Sequence, residues 1–169
     1  MTLKEGGEVN MAIEDAFRAA KTVLTLFDAY VNTVAQEIGS ERAEALMTKM
    51  CEFAGTMQGM MMKKQSGIKE FDAKVAWSLA KMFKDNLGAS HEVIEESPQR
   101  VVIRNGRCPI YEAAQTLGME ATAIETGCRT GPMTFMGAAV KQLNPNLSLR
   151  VRKFRSTPDD FCEEEIILR

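Results

Sequence analysis

Histidine is nearly absent from this chain of 169 residues, in which His91 is the single example. Any triad or acid–base pair that uses an imidazole therefore depends on this one side chain. His91 begins a predicted strand after a Gly-Ala-Ser loop, and we expect it to be exposed and without a catalytic role. The alternative is that it acts as the base for a nucleophilic Cys108.

Long apolar runs and a surplus of basic residues are also missing. No stretch approaches the ~20 apolar residues that span a bilayer, and residues 1–10 are polar, unlike a signal peptide. We therefore expect a cytoplasmic protein with no membrane partner. The net charge is −2, and a nucleic-acid partner is not expected because phosphate binding requires a basic surface. No glycine-rich segment has the strand–loop–helix context of a phosphate-binding loop.

What the chain does contain is typical of an ordinary globular protein, with 45% apolar and 26% charged residues. Its length suits one domain, residues 1–169. The pattern changes near Gly88, which separates a helical half (1–88) from a mixed half (89–169). Twelve methionines favour plain core filling, with an apolar pocket as the alternative.

The helical half predicts three helices. Apolar residues recur at helical spacing from Ile13 to Ile38, and Gly39 ends that element. A second, Met-rich helix follows, and a third ends at Gly88. Gly55 and Gly59 lie one turn apart in the second helix and predict the close approach of another backbone. Because the first helix has a broad apolar face, we also expect a homodimer.

The mixed half predicts two hairpins with helices between them. Residues 91–96 and 100–104 flank a turn, and helical stretches follow from Pro109 and over 121–143, the latter interrupted by glycines and a proline. The last hairpin has a definite register: Leu149 opposite Ile166 also places Arg150 opposite Glu165. The predicted fold is therefore α+β, an N-terminal helical layer packed on a small antiparallel sheet of about four strands.

Three cysteines mark the mixed half, each at the edge of a predicted element. Cys108 precedes the helix that begins at Pro109, where a helix N-terminus favours the thiolate. Cys128 follows Glu125 by three positions, so the two side chains share one helical face. The hairpin register turns Cys162 inward, to the face of Ile166 and Leu168.

Three thiolates and one carboxylate would complete a tetrahedral zinc site of Cys108, Glu125, Cys128 and Cys162. The alternative is three unrelated buried thiols, since free cysteine is among the most buried residue types. Cys51, in the Met-rich helix, is expected to be such a core residue.

The segments Cys108–Pro109, Glu125–Cys128 and Asp159–Cys162 resemble the 4-vinyl-reductase domain family, which includes small-molecule sensor modules. That resemblance implies zinc bound by these cysteines beside an apolar ligand pocket. The same segments are similar to the L-2-amino-thiazoline-4-carboxylic acid hydrolase-like family, which has three cysteines at similar long intervals. That family usually has an aspartate three residues after the middle cysteine, where this chain has Gly131.

Two functions follow as expectations. In the first, the protein is a binding or sensor-type domain, with a structural zinc beside a pocket for an apolar or aromatic small molecule. In the second, implied by the hydrolase-like resemblance, it hydrolyses small cyclic amide or thiazoline compounds, with one of the same cysteines as nucleophile or metal ligand.

Overall fold

A computed structural model describes residues 4–169 of the chain, with side chains from residue 11 onward. The helical half of the sequence forms three helices, as predicted: α1 (Lys4–Ile38), α2 (Ser40–Ser66) and α3 (Ala73–Asn86). The second half contains β1 (His91–Glu96), β2 (Arg100–Asn105), α4 (Pro109–Thr116), α5 (Ala121–Cys128), α6 (Thr134–Leu143), β3 (Leu147–Lys153) and β4 (Cys162–Leu168). Gly39 has φ 87°, the left-handed conformation that a glycine adopts without strain and that ends α1.

The four strands form one antiparallel sheet in the order β1-β2-β4-β3. The predicted hairpin register is confirmed, with Leu149 opposite Ile166 and Arg150 opposite Glu165. The same alternation predicts Arg152 opposite Glu163, but the register shifts after Val151, so that Lys153 pairs with Glu163 along the backbone. A bulge of this kind inserts one residue and leaves the hydrogen-bonding pattern locally irregular.

The core lies between the helices and one face of the sheet. Trp77 of α3 and Leu143 of α6 pack there against inward residues of the central strands, among them Val101, Ile103 and Ile166. The predicted α+β architecture, with helices packed on a small antiparallel sheet, is confirmed. No helix within residues 4–169 combines the length and the apolar character needed to cross a membrane.

Helices α2 and α6 approach each other at the two glycines of α2. A Cβ added to Gly55 would meet the carbonyl group of Phe135 and lie 3.0 Å from the Ala138 Cβ. A Cβ added to Gly59 would lie 2.7 Å from the Gln142 Cβ and would also meet the Ala139 carbonyl oxygen. The predicted close backbone approach is therefore confirmed, and it packs α2 directly against α6.

The stretch predicted as one interrupted helix over 121–143 is continuous but changes its hydrogen-bonding pattern. Between α5 and α6 the chain forms a π-helical segment, Arg129–Met133, with Pro132 inside it. Proline lacks an N–H and disrupts the α-helical pattern, and single π turns occur often at functional sites. The proline therefore widens the helix locally without ending it.

Candidate functional site

An apolar cavity of about 580 Å³ opens between α1, α2 and the α5–π segment. Leu24, Phe27 and Val31 of α1 form one wall, and Met47 and Ala54 belong to the wall formed by α2. A volume of this size is within the range that proteins use for small molecules, ~300–1,000 Å³. The methionine side chain is flexible and polarizable, so such walls adapt to the shape of an occupant.

The π-helical segment forms the third side of this cavity. Thr130, Gly131 and Pro132 all line it, together with Cys128 at the end of α5. Gly131 is buried, and a Cβ added there would have its nearest neighbour, the Met47 side chain, at 3.9 Å. The missing side chain at this position therefore leaves room inside the cavity.

Only two charged side chains line the cavity within the described residues, Asp28 of α1 and Glu44 of α2. Burial raises the pKa of Asp28 to about 6 because an apolar environment disfavours the ionised carboxylate. The sequence does contain a signal for this residue, since Asp28 interrupts the apolar stripe between Phe27 and Val31.

Cys128 connects the cavity to a polar cluster beneath it. Burial is the main reason that the pKa of its thiol is raised, and the charges of Cys108, Glu164 and Cys162 raise it further. The three cysteines predicted to share a site therefore lie within electrostatic reach of one another. All four cysteines of the chain are free, Cys51 included, and Cys51 also lines the cavity.

Cys108 is the N-cap residue of α4, as the sequence predicts. Burial raises the pKa of its thiol, while the N–H groups of Tyr111 and Ile110 and the charges of Lys84 and Arg155 lower it. The effect of burial is the larger one, so the pKa is raised overall. The helix N-terminus favours the thiolate, as expected, but does not outweigh the apolar surroundings.

Lys84 and Glu164 form an ion pair inside the cluster that sequence reasoning did not identify. The Lys84 Nζ lies 3.0 Å from a Glu164 carboxylate oxygen, and the two side chains are 16% and 11% exposed. Burial lowers the pKa of Lys84, but Glu164 and the charges of Cys108 and Cys128 outweigh that effect and raise it overall. The hairpin register contained the signal, because it places Glu164 on the inward face between Cys162 and Ile166.

Arg155 and Asn105 complete the polar cluster on the side of Cys162. The Arg155 Nε donates to the Cys162 Sγ at 3.4 Å, and its Nη2 donates to the carbonyl oxygens of Asn105 and Gly106. Asn105 lies opposite Cys162 in the β2–β4 pairing. The amide of Asn105 is buried, and neither its oxygen nor its nitrogen has a hydrogen-bond partner among the described residues. Most buried polar groups have a hydrogen-bond partner, so the Asn105 amide is an exception in this structure.

Glu125, the fourth predicted zinc ligand, points to a different partner. Its carboxylate accepts hydrogen bonds from Arg129 at 2.8 and 2.6 Å. In the part of the chain that the structure describes, no three His, Cys, Asp or Glu side chains are arranged so that they could hold a metal ion. The Lys84 ammonium already supplies a positive charge beside Cys108 and Cys128. The tetrahedral zinc set expected from the sequence therefore stays a prediction.

His91 is less exposed than predicted. Its ring packs edge-on against Trp77, with the ring centroids 5.2 Å apart, and its side chain is 16% exposed. Burial lowers its pKa more than the charge of Asp85 raises it. In the structure, His91 is therefore a largely buried ring that packs against Trp77.

Four arginines of the second half could bind an acidic group, but each pairs with a carboxylate within the chain: Arg100, Arg104, Arg107 and Arg129. Arg100 pairs with Glu165 at 3.0 Å, and Arg107 donates to Glu112 at 3.1 Å and to Glu14. Arg129 is held by Glu125, as described above. These guanidinium groups therefore already have carboxylate partners within the chain.

Comparison with known proteins places these features in a family. The family model described as L-2-amino-thiazoline-4-carboxylic acid hydrolase matches residues 19–164. The predicted resemblance to that family is confirmed, and it extends over most of the helical half as well. No curated protein matches the chain.

Two solved structures have a similar fold. One is trafficking protein particle complex subunit 3 from Naegleria fowleri, covalently bound to palmitic acid, with TM-score 0.61, 16% identity and coverage of 89% of this chain and 95% of that chain. The other is the phenol-responsive sensory domain of the transcription activator PoxR with phenol, with TM-score 0.61, 10% identity and coverage of 86% and 74%. At these identities the likeness concerns the fold alone.

Proposed function

The chain belongs to the L-2-amino-thiazoline-4-carboxylic acid hydrolase family, and from this premise we propose that it binds a small apolar or aromatic molecule in the cavity between α1, α2 and the α5–π segment. The observation that carries the proposal is the cavity itself, about 580 Å³ and lined mainly by aliphatic, Met and Phe side chains. Concave, mostly apolar sites with a few polar groups are typical of ligand pockets. The similar fold of a phenol-responsive sensory domain supports this kind of occupant.

Thermal unfolding tests the proposal, with phenol and indole as probes. A ligand that binds only the folded state raises the unfolding midpoint, by an amount that grows with its concentration. We expect the rise in the natural sequence and in Gly131→Ala, whose added Cβ makes ordinary contact with Met47. In Gly131→Leu the longer side chain fills part of the cavity, and the rise is expected to disappear.

A folded Gly131→Leu variant that responds to the probes as Gly131→Ala does would refute binding in this cavity. A natural sequence with no response to either probe would count against an aromatic occupant. Because the two variants change the same backbone position, they differ mainly in the volume that is filled.

The family description favours a second candidate function, hydrolysis of a small thiazoline or cyclic amide. Cys128 is the thiol that lines the cavity and also belongs to the cysteine cluster. Its raised pKa keeps it a thiol at neutral pH, and the thiolate is the nucleophilic form; binding is therefore the first candidate. Incubation with L-2-amino-thiazoline-4-carboxylic acid tests hydrolysis: ring opening that Cys128→Ser abolishes without loss of folding would establish it.

The zinc site of Cys108, Glu125, Cys128 and Cys162 stays a prediction from the sequence, and the proposed function does not depend on it. Elemental analysis of the purified protein tests it. About one zinc per chain, lost in Cys128→Ser, would establish a site at these cysteines. Retention of that zinc in Glu125→Gln would remove Glu125 from the ligand set.

We also propose that the protein is a homodimer that works in the cytoplasm. Helix α2 presents five exposed apolar side chains at alternating spacings of four and three residues: Leu46, Met50, Phe53, Met57 and Met60. This α2 stripe has the periodicity of a helix–helix seam, for which a second copy supplies a matching surface. Four free thiols suit a reducing compartment.

Phe53→Glu is expected to convert a dimer into a monomer, because it places a charge in the centre of the α2 stripe. Phe53 is 70% exposed, so the isolated subunit should fold as before. Light scattering after gel filtration measures the mass. Met82→Glu is the control, since Met82 is similarly exposed on α3 and lies outside the stripe. A natural sequence that is monomeric at high concentration would refute the dimer.

A further inference from the structure

The charged side chains that line the cavity all have the same sign. Asp28 and Glu44 are its only charged lining residues in the described part of the chain, and both are acidic. A cavity lined by one sign of charge attracts the opposite sign and repels its own. An anionic ligand would therefore enter this cavity without a cationic side chain to receive it.

Asp28 is the better placed of the two acids to meet an occupant. Its carboxylate has no hydrogen-bond or ion-pair partner among the described residues, and it lies half-buried between Phe27 and Val31. Burying a carboxylate without a partner is costly, and a cation or a hydrogen-bond donor offsets that cost. The raised pKa of Asp28, about 6, has burial as its cause and reflects this missing partner.

Two basic side chains on elements that line the cavity pair with other carboxylates. Lys21, two turns before Asp28 on α1, pairs with Glu112 at 3.5 Å. Arg129, beside the π-helical wall, is held by Glu125. The cavity carboxylate is therefore free to accept a positive charge from a ligand.

We propose that the cavity selects molecules that carry a protonated amine or amidine on an apolar body, with Asp28 as their counter-ion. This inference rests on the proposed function and names its ligand class. The apolar body contacts the Leu, Met and Phe walls, while the cationic group forms a charge-assisted hydrogen bond with the carboxylate. Such bonds are stronger than neutral ones, and a desolvated site strengthens them further.

Three probes of similar size separate this inference from the binding proposal: 2-phenylethylamine, 2-phenylethanol and 3-phenylpropanoate. Calorimetric titration at pH 7.5 is expected to give about tenfold tighter binding of the amine than of the alcohol, and no measurable binding of the carboxylate. In Asp28→Asn the amine is expected to lose that advantage while the alcohol keeps its affinity. Asp15→Asn, an exposed acid on the same helix and outside the cavity, should change neither.

The pH dependence provides a second readout. The amine is expected to bind more tightly as the pH rises from 5 to 7.5, because Asp28 becomes ionised over this range, and the alcohol should show no such rise. The other titratable groups that line the cavity are Glu44 and Cys51 of α2 and Cys128 of α5. The raised pKa values of both thiols keep them neutral throughout this range. The same titration in Glu44→Gln should retain the rise, which assigns it to Asp28.

The outcomes distinguish the two proposals. If the alcohol binds but the amine binds no tighter, or if Asp28→Asn leaves the preference for the amine intact, the amine selectivity is refuted and binding in the cavity stands. If neither neutral nor cationic probe binds, the binding proposal itself fails. Tight binding of 3-phenylpropanoate would overturn the inference directly.

Discussion

Gly55→Ala is expected to lower the free energy of unfolding by about 3 kcal/mol, the upper end of what overpacking costs. The added methyl group would meet the carbonyl group of Phe135, which belongs to a helical backbone and cannot rotate away. Relief therefore requires α2 and α6 to separate, and separation weakens the packing along the whole pair. Urea unfolding followed by circular dichroism measures the change.

Gly137→Ala is the matched control for this substitution. Gly137 is also a helical glycine, but a Cβ added there has no atom within 4 Å. Because glycine in a helix interior is less favourable than alanine, the control is expected to gain ~0.5–1 kcal/mol. Equal effects of the two substitutions would mean that the helices do not touch at Gly55.

The sequence predicts the fold better than it predicts the site, because strand register depends on local patterns of side chains. Strand register follows from side-chain alternation and cross-strand charge, so Leu149, Arg150 and their partners could be paired correctly. The shift beyond Val151 arises where the strand ends and the turn begins, and no local pattern encodes it. The π turn at Arg129–Met133 likewise depends on how one proline is accommodated within a continuous helix.

The candidate site depends on tertiary contacts that local sequence does not determine. The prediction that Cys108, Cys128 and Cys162 share a site rests on their positions at the edges of elements that face the core. Glu125 could equally well face inward or pair with Arg129, and local spacing does not decide between the two. Lys84 lies in α3, in the helical half, whereas Glu164 lies in β4. Their ion pair joins residues that are 80 positions apart and could not be predicted from local sequence.

Glu164→Gln is expected to lower the free energy of unfolding by about 3 kcal/mol, because it leaves the Lys84 ammonium buried without its carboxylate. Glu96→Gln is the control: Glu96 is also a strand carboxylate paired with an α3 lysine, Lys74 at 3.1 Å, but those side chains are 40% and 58% exposed. Exposed pairs contribute little, so the control should change stability by less than about 1 kcal/mol. Urea unfolding at pH 7 compares the two.

The pH dependence of this effect has a definite sign. The folded pKa of Lys84 lies above its ordinary value of 10.5, so the pair stabilises the protein fully below pH 10.5. The contribution is lost as the pH rises through the folded pKa, where the lysine becomes neutral. The difference between the natural sequence and Glu164→Gln should therefore be constant near neutrality and shrink in strong alkali. A difference that grew in alkali would contradict the assignment.

The same substitution tests how the ion pair controls Cys128. The charge of Glu164 raises the pKa of this thiol and that of Lys84 lowers it, so removing the carboxylate takes away one effect that raises the pKa and keeps the one that lowers it. In Glu164→Gln the thiolate fraction at pH 8 should rise, and Cys128 should be alkylated faster by iodoacetamide, as followed by peptide mass spectrometry. Unchanged alkylation in a folded variant would place Glu164 outside the cysteine cluster. Faster alkylation would show that Glu164, together with burial, helps to keep the cavity thiol protonated, which favours binding over hydrolysis.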